Sequence, residues 1–402
     1  MHILLVHQAF AALSEPGGTR HHELARYLAQ RGHRVTIITS RVSYLTGTAE
    51  PPPRTKSLDR EEAGVEILYA YTYPALHKSF FHRVLSFFSF MFSSFLLGIN
   101  VRQVDLVWGT SPPIFQGFTA WALARLKRVP FLFEVRDLWP AFAIAVGVLH
   151  SPLLIHLTEW LEKFLYRRAH VVVVNSPGFI DHVKKRGARR VELVPNGADP
   201  EMFDPRADGF DFRLRHELSG KFVVLYAGAH GMSNDLGIVL EAANQLRNCS
   251  EVAIVLLGDG KEKPALQEQA AELGLENLLF VPPVPKAGMP AVLAAADACL
   301  AILKPIPLYA TVYPNKVFDY MAAGRPVLLA IDGVIRQVVE EAQAGIFVQP
   351  GDPMALAEVV RWLAVHPVEA RQMGLNGRDQ VEKIFNREKS AQKLAALIET
   401  LA

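Results

Sequence analysis

The chain has 402 residues, half of them apolar and one fifth charged, with a formal net charge of +2. That much apolar material fills two domain cores and excludes a disordered or low-complexity chain. Its two cysteines, Cys249 and Cys299, stand in no metal-ligand spacing, which argues against a disulfide framework or a structural zinc site.

Met1 to His7 is a continuous apolar run, the pattern of a buried strand, and EPGGTRHHELARYLAQRGHRVTIIT predicts a loop, a helix and a second strand. This is the opening unit of a doubly wound α/β sheet. The start shows no signal-peptide pattern, so a cytoplasmic location is expected. Gly17 and Gly18 let a backbone approach a ligand closely, with Arg20 at the helix start to meet a phosphate; a plain strand-to-helix turn has the same signature. Residues 41–64 form a Pro-rich, charged, aperiodic excursion before a strand from Gly64 to Tyr71. In SFFHRVLSFFSFMFSSFLLGI, Val84 to Ile99 carries no charge, which is short against the roughly 20 residues of a membrane span. Ser79, Arg83, Ser86, Ser89 and Ser93 recur at helical spacing. Two readings stand: a core helix, or a helix lying in a membrane interface with His77, Lys78, His82 and Arg83 near the headgroups.

Val104 to Gly109 predicts a buried strand running into TSPP, Trp121 to Arg128 a helix, and Phe131 to Val135 a strand that ends in Arg136-Asp137-Leu138-Trp139-Pro140. Charges just past the C-terminal end of a buried strand stand where open α/β sheets bind ligands. Asp137 is thus a candidate ligand-binding carboxylate, or a turn cap paired with Arg136. A helix from Pro152 to Arg168 and strands at Val171 to Asn175 and Val191 to Val194 lead to PNGADPEMF, an interdomain turn that closes a first domain over residues 1–203. The second, 204–386, opens with the strand Phe222 to Tyr226 and the loop AGAHGMSNDLG, whose His230 is either a ligand contact or a surface histidine. Val252 to Leu257 ends in Gly258-Asp259-Gly260-Lys261, a nucleotide contact or an ordinary turn.

The most informative stretch is KPIPLYATVYPNKVFDYMAAGRPVLLA, Lys304 to Ala330. Its prolines predict an exposed loop from Leu303 to Tyr313, and Asn315 to Ala323 a helix stopped by Gly324. The N–H groups and positive end of that helix face the loop, Lys316 adds a charge in its first turn and Asp319 follows one turn on, an arrangement that suits a nucleoside diphosphate.

NKVFDYMAAGRPVLLA resembles the donor site of GT-B glycosyltransferases of family GT4, where a helix of the form E-A-M-A-x-G-x-P-V follows a loop with a second Glu. HGM, PNKVFDYMAAG and RDLWP are similar to a bacterial subgroup, the WbuB-type N-acetylfucosamine transferases of surface polysaccharide assembly. The resemblance implies two Rossmann-like domains facing a central cleft, with residues 387–402 as a helix crossing back to the first. It places Asp319 at the ribose and Arg136 where relatives carry a sugar-contacting His. Thr311 stands where the first Glu would be, Ala229 at a phosphate-binding Arg, and Asn234 or Asp235 at a Lys. The donor set implied is Gly17, Gly18, Arg20, His230, Gly231, Asp259, Gly260, Lys261, Val284 against uracil, Asn315, Lys316, Val317 and Asp319, with Asp137, Arg136 and Lys316 as catalytic candidates. No Asp-x-Asp occurs, so no metal or other cofactor is expected. The activity implied is retaining transfer of an N-acetylhexosamine-type sugar from a UDP-sugar to a polyprenyl-diphosphate-linked or other glycan acceptor, at the cytoplasmic face of the inner membrane. The basic first half, 23 Lys and Arg against 17 Asp and Glu over residues 1–205, fits an anionic membrane or diphosphate acceptor, and equally a solvated surface. No nucleic-acid partner is expected. A non-hydrolysing UDP-sugar epimerase and a non-catalytic sugar-nucleotide-binding scaffold are the alternatives.

Overall fold

Apolar runs buried on both faces set the architecture, because parallel strands with helices on either side leave neither face to water. The computed structural model describes residues 1–15, 17–42, 64–74 and 79–401, apart from the side chain of Phe80. Most of the Pro-rich excursion, with His77 and Lys78, lies outside the described residues. The chain divides into two units, Met1–Ala12 with Gly18–Pro195 and Ser390–Ala402, and Leu13–Gly17 with Asn196–Lys389. Residues 196–203, expected with the first domain, pack with the second, where Ala198 and Phe203 join its core.

The first unit carries strands β1 (His2–Val6), β2 (Arg34–Ser40), β3 (Val65–Ala70), β4 (Leu106–Ser111), β5 (Phe131–Val135), β6 (Val171–Val174) and β7 (Val191–Leu193). They form one parallel sheet in the order β3-β2-β1-β4-β5-β6-β7. The order reverses between β1 and β4, the place where such sheets bind ligands at their C-terminal edge. Helices α1 (Arg20–Gln30), α2 (Phe80–Ile99), α3 (Phe115–Lys127), α4 (Ala141–Ala145), α5 (Pro152–Arg168) and α6 (Ile180–Lys185) join the strands. Alternate strand residues Ile3, Leu5, Trp108, Leu132 and Val173 pack with Leu24 and Leu28 of α1 and with Leu394 and Ile398 of the last helix of the chain. The other face meets α2, α3 and α5. There glycines bring backbones together: a Cβ on Gly109 would lie 2.6 Å from the Cβ of Ala120, and one on Gly117 2.6 Å from the ring of Phe133.

Helix α3 starts at Phe115, six residues earlier than the pattern predicts, and runs beside α2. Thr119 Oγ1 donates to Met91 O at 3.0 Å, and Lys127 Nζ donates to Ile99 O at 3.1 Å and to Val101 O at 2.5 Å. Helix α2 is neither wholly core nor free. Ser86, Phe90 and Ser94 are fully buried, whereas Phe81, Phe92 and Leu96 are about two-thirds exposed (66%, 63% and 64%).

The second unit holds α7 (Phe210–Arg215), β8 (Phe222–Ala227), α8 (Leu236–Gln245), β9 (Val252–Leu257), α9 (Lys263–Glu272), β10 (Leu278–Val281), α10 (Met289–Ala294), β11 (Ala298–Ile302), α11 (Asn315–Ala322), β12 (Val327–Ala330), α12 (Val334–Glu341), β13 (Gly345–Phe347), α13 (Pro353–Val365) and α14 (Pro367–Lys383). The strands make a parallel sheet ordered β10-β9-β8-β11-β12-β13, reversing between β8 and β11. The final helix, α15 (Arg387–Glu399), lends its residues from Ser390 onward to the first unit. The loop before α11, expected to be irregular, contains 3-10 turns over Pro307–Thr311. Tyr309 is buried in it, its hydroxyl 2.5 Å from Ser233 Oγ, and that anchor tightens a segment whose prolines forbid α-helix.

Replacing Gly109 by Val should push β4 off α3 and lower stability by about 1–3 kcal/mol, the usual range for overpacking; the midpoint of urea unfolding measures it.

Candidate active site

In the second unit the site grows from three loops at the C-terminal ends of β8, β9 and β11. Gly258, at φ 148°, lies so close to the β8 loop that a Cβ there would sit 1.8 Å from Gly228 O, and a Cβ on Gly260 would meet His230 O at 2.5 Å. Only glycine permits that stacking. The loops are then stitched: His230 N–H donates to Asp259 O at 2.8 Å, Glu262 N–H to His230 O at 2.9 Å, and Asp259 Oδ1 accepts from Gly260 N–H at 2.8 Å. His230 is fully buried with neither ring nitrogen hydrogen-bonded, so it is not a surface histidine. Burial, with Lys263 and Lys316 nearby, lowers its pKa to about 4, against the opposing pull of Asp259. At neutral pH it is uncharged, one nitrogen donating and the other accepting.

Lys316 enters from the first turn of α11. Its Nζ lies 3.8 Å from the centre of the Tyr226 ring, is buried, and has no hydrogen-bond partner among the described residues. Burial lowers its pKa to about 7. A cation at the positive end of a helix, out of water and lacking a counter-charge, is unfavourable three times over, and the aromatic face returns on the order of 2 kcal/mol. An anion beside Nζ would remove all three penalties.

Asp319, one turn on, is engaged by Lys286, whose Nζ lies 2.5 Å from Asp319 Oδ2 and 4.8 Å from the centre of the Phe203 ring. Both side chains are largely buried, and Lys286 was not visible as a site residue in the sequence. Several expected contacts are taken up otherwise. Asn315 Oδ1 accepts from Arg387 at 3.2 Å, Thr311 Oγ1 donates to Leu308 O at 2.7 Å, and the side chain of Val317 is wholly in the hydrophobic core. Lys261 is exposed, whereas Lys263 reaches back to Gly258 O at 2.8 Å, because α9 turns its first residues toward the loop. Gly231 continues the β8 loop, accepting from Asn234 N–H at 3.0 Å, and Val284 is half-buried against Gly288 in the loop after β10.

In the first unit, Arg20, expected to meet a phosphate, is engaged by protein groups. Its Nε lies 2.9 Å from Glu134 Oε1, and its other nitrogens donate to Pro195 O and Val194 O at 2.9 and 2.7 Å. Glu134 also accepts from His21 at 2.8 Å and from the indole of Trp108 at 3.2 Å. Burial raises the pKa of Glu134, but His21 and Arg20 outweigh it and hold the carboxylate ionised. This ion pair is a core element, a use of charge that local sequence does not reveal. Arg136 is likewise occupied, donating to Thr110 Oγ1, Ser111 O and Pro112 O at 3.1, 3.1 and 3.2 Å. It braces the turn after β4. Asp137 beside it has no hydrogen bond to its carboxyl group among the described residues, and burial raises its pKa to about 6 against the pull of Arg136. It caps no turn with its side chain. His7, at the end of β1, is fully buried with neither ring nitrogen bonded, its ring 4.3 Å from that of His21. The sequence reading passed it over. Gly17 and Gly18 are both exposed.

Residues 17–197 match the family described as "Glycosyl transferase 4-like domain", and residues 221–366 match "Glycosyl transferases group 1". The chain belongs to the GT4-type glycosyltransferases of the GT-B fold. WcaI of Escherichia coli K12, a glycosyl transferase assigned to colanic acid biosynthesis, is 26% identical over 312 residues, 75% of this chain and 76% of that one. Among solved structures, the sucrose-phosphate synthase of Thermosynechococcus elongatus superposes with a TM-score of 0.79 at 19% identity, covering 100% of this chain and 98% of that one. HepE of Anabaena, solved in complex with UDP-glucose, does so with 0.73 at 18% identity, both chains covered fully. These likenesses establish the fold of this glycosyltransferase.

Two outcomes follow for it. Above pH 7 binding of a diphosphate has to return a proton to Lys316, so affinity should be flat below that pH and fall by up to about tenfold per unit above it. Calorimetry in buffers of different ionisation heat reads the proton uptake, and Lys316→Arg should abolish it. Arg20→Met should lower stability by about 3–5 kcal/mol, because Glu134 stays buried without its cation. A loss of donor affinity at unchanged unfolding midpoint would return Arg20 to the binding site.

Proposed function

We propose that this glycosyltransferase moves an N-acetylhexosamine-type sugar from a UDP-sugar to a glycan acceptor carried on a polyprenyl diphosphate, in surface polysaccharide synthesis at the cytoplasmic face of the inner membrane. The observation that carries the donor half is the buried ammonium of Lys316, without a counter-charge at the N-terminus of α11. A nucleoside diphosphate supplies the missing negative charge. The complex of HepE with UDP-glucose supports a uridine donor, and the assignment of WcaI to colanic acid biosynthesis supports a polysaccharide product. In this reading Asp319, held by Lys286, receives the ribose hydroxyls, and neutral His230 hydrogen-bonds to the diphosphate or the sugar.

The reaction is a same-face displacement that retains configuration. The acceptor oxygen bonds to the anomeric carbon as the bond from that carbon to the β-phosphate oxygen breaks. The acceptor's proton passes to the departing phosphate, and Lys316 with the α11 dipole stabilises the charge gathering there. No divalent metal enters the step; the cation is Lys316. Asp137, with its carboxyl group unbonded, is the residue for an acceptor hydroxyl.

Titration calorimetry with UDP, GDP and dTDP, without metal and then with magnesium, tests the donor site. Metal-independent binding of UDP, weakened at least about tenfold in Lys316→Ala and Asp319→Ala, is expected. Binding that requires magnesium, or that ignores both substitutions, would sink the assignment. Proton NMR of the first product formed, showing an inverted anomer, would overturn the stereochemical part alone.

A further inference from the structure

Helix α2 is amphipathic the wrong way round for a soluble surface. Its serines face inward: Ser86 and Ser94 are fully buried, Ser93 Oγ donates to Tyr71 O at 2.5 Å, and Ser89 Oγ accepts from Tyr73 N–H at 2.9 Å. Its large apolar residues face out, in a stripe from Phe81 through Phe92 and Leu96 to Ile99 that is roughly 30 Å long at helical rise. The stripe does not end with the helix. Phe88 packs on Phe115 of α3 at 5.3 Å between ring centres, Phe118 of α3 on Trp121 at 5.3 Å, Trp121 on Phe164 of α5 at 4.7 Å, and Phe164 on Trp160 at 5.4 Å. At that far side Leu153, Leu157 and Trp160 are again half or more exposed. One helical layer of the first unit therefore presents a continuous apolar surface, larger than scattered surface residues produce.

Charge says what covers it. From Ser79 to Phe133 the chain has five Lys and Arg and a single acid, Asp105, whose carboxylate already accepts from His2 N–H at 2.7 Å. Arg125, Lys127 and Arg128 close the α3 end beside Ile99, and Arg125 and Arg128 are exposed there. On α5 the acids Glu159 and Glu162 are both paired with Arg186, at 3.1 and 2.6 Å. An apolar stripe edged by cations, with its few acids already engaged, matches a bilayer surface bearing anionic lipids. A second copy of the chain would set like charges against each other across a twofold contact. By length and composition Phe81–Ile99 would also serve as a membrane span. It does not leave the fold to do so, since Ser86, Phe90 and Ser94 of that helix are packed inside the first unit. We infer that the layer of α2, α3 and α5 is a membrane-docking face, on which α2 lies parallel to an anionic bilayer with its apolar side among the upper acyl chains. The inference names the face and the lipid chemistry, and it stands whichever sugar the enzyme transfers.

Flotation of the full chain with vesicles of phosphatidylcholine, alone and with phosphatidylglycerol added, tests it. Binding to the mixed vesicles is expected, at least about tenfold weaker for the double variant Phe92→Glu, Leu96→Glu and several-fold weaker for Arg125→Gln, Arg128→Gln, with release by salt in the wild type. Unchanged urea unfolding and unchanged UDP binding in each variant show that the fold and the donor site persist, so that a vesicle result reads the face alone. Any of these results overturns the proposal: no binding to either vesicle, binding insensitive to both double variants, or a dimer in light scattering that Leu96→Glu dissolves while vesicles bind nothing. Resistance to alkaline carbonate extraction from cell membranes would overturn it in favour of a spanning helix.

Discussion

A lysine ammonium buried against an aromatic ring, at the positive end of a helix and with no carboxylate bonded to it among the described residues, is the constraint on which the second unit turns. The fold tolerates Lys316 there because the surrounding sheet and loops are rigid: Gly258 and Gly260 stack the β9 loop on the β8 loop, and Tyr320 ties α11 to β8 by accepting from Ala227 N–H at 3.0 Å. Preorganisation of this kind is how a protein keeps an unfavourable charge ready for an anion. Lys286 treats Asp319 in the opposite way, neutralising it before any substrate arrives. The two lysines divide the labour around one helix: Lys316 within α11 is left unsatisfied among the described residues, and Lys286, from the loop after β10, pairs with Asp319 of that helix.

The first unit shows the same economy of polar groups with a different outcome. Glu134 would be intolerable in the middle of a parallel sheet if Arg20, His21 and Trp108 did not surround it. Those contacts fasten α1 to β4 and β5, and through the carbonyls of Val194 and Pro195 to the end of the unit. Arg136 braces the turn after β4 in a comparable manner, which leaves Asp137 and His7 at the C-terminal edge of the sheet with side chains that have no hydrogen-bonded partner among the described residues. Open parallel sheets place their ligands along that edge.

Much of the architecture was legible in the sequence. Apolar runs bounded by Gly and Pro, alternating with helical patterns, predict the strands of the first sheet, with β8 and β9 of the second, within a residue or three, and PNKVFDYMAAGRP marks α11 with its cap and stop. The candidate site was legible where it lies in one short stretch: Lys316 and Asp319 are three residues apart on a helix. It was not legible where a charge has two possible uses. Arg20 at a glycine-bearing loop reads as a phosphate ligand, but its partner Glu134 is 114 residues away. Lys261 and Lys263 are indistinguishable in a turn until the helix sets their directions.

What the sequence by itself determined is the alternation of strand and helix, the two-unit α/β organisation and the helix that holds Lys316, because these follow from periodicities of a few residues. Tertiary structure alone decided which polar groups are satisfied and which are left waiting, and which side of the Phe-rich helix faces water. Burial and pairing depend on neighbours that the sheet order brings together across dozens of residues. From composition α2 reads either as a core helix or as a helix in a membrane interface; the fold puts Ser86, Phe90 and Ser94 on its inner face, since close packing against α3 and the sheet favours small side chains there, and leaves Phe81, Phe88 and Phe92 on the outer one.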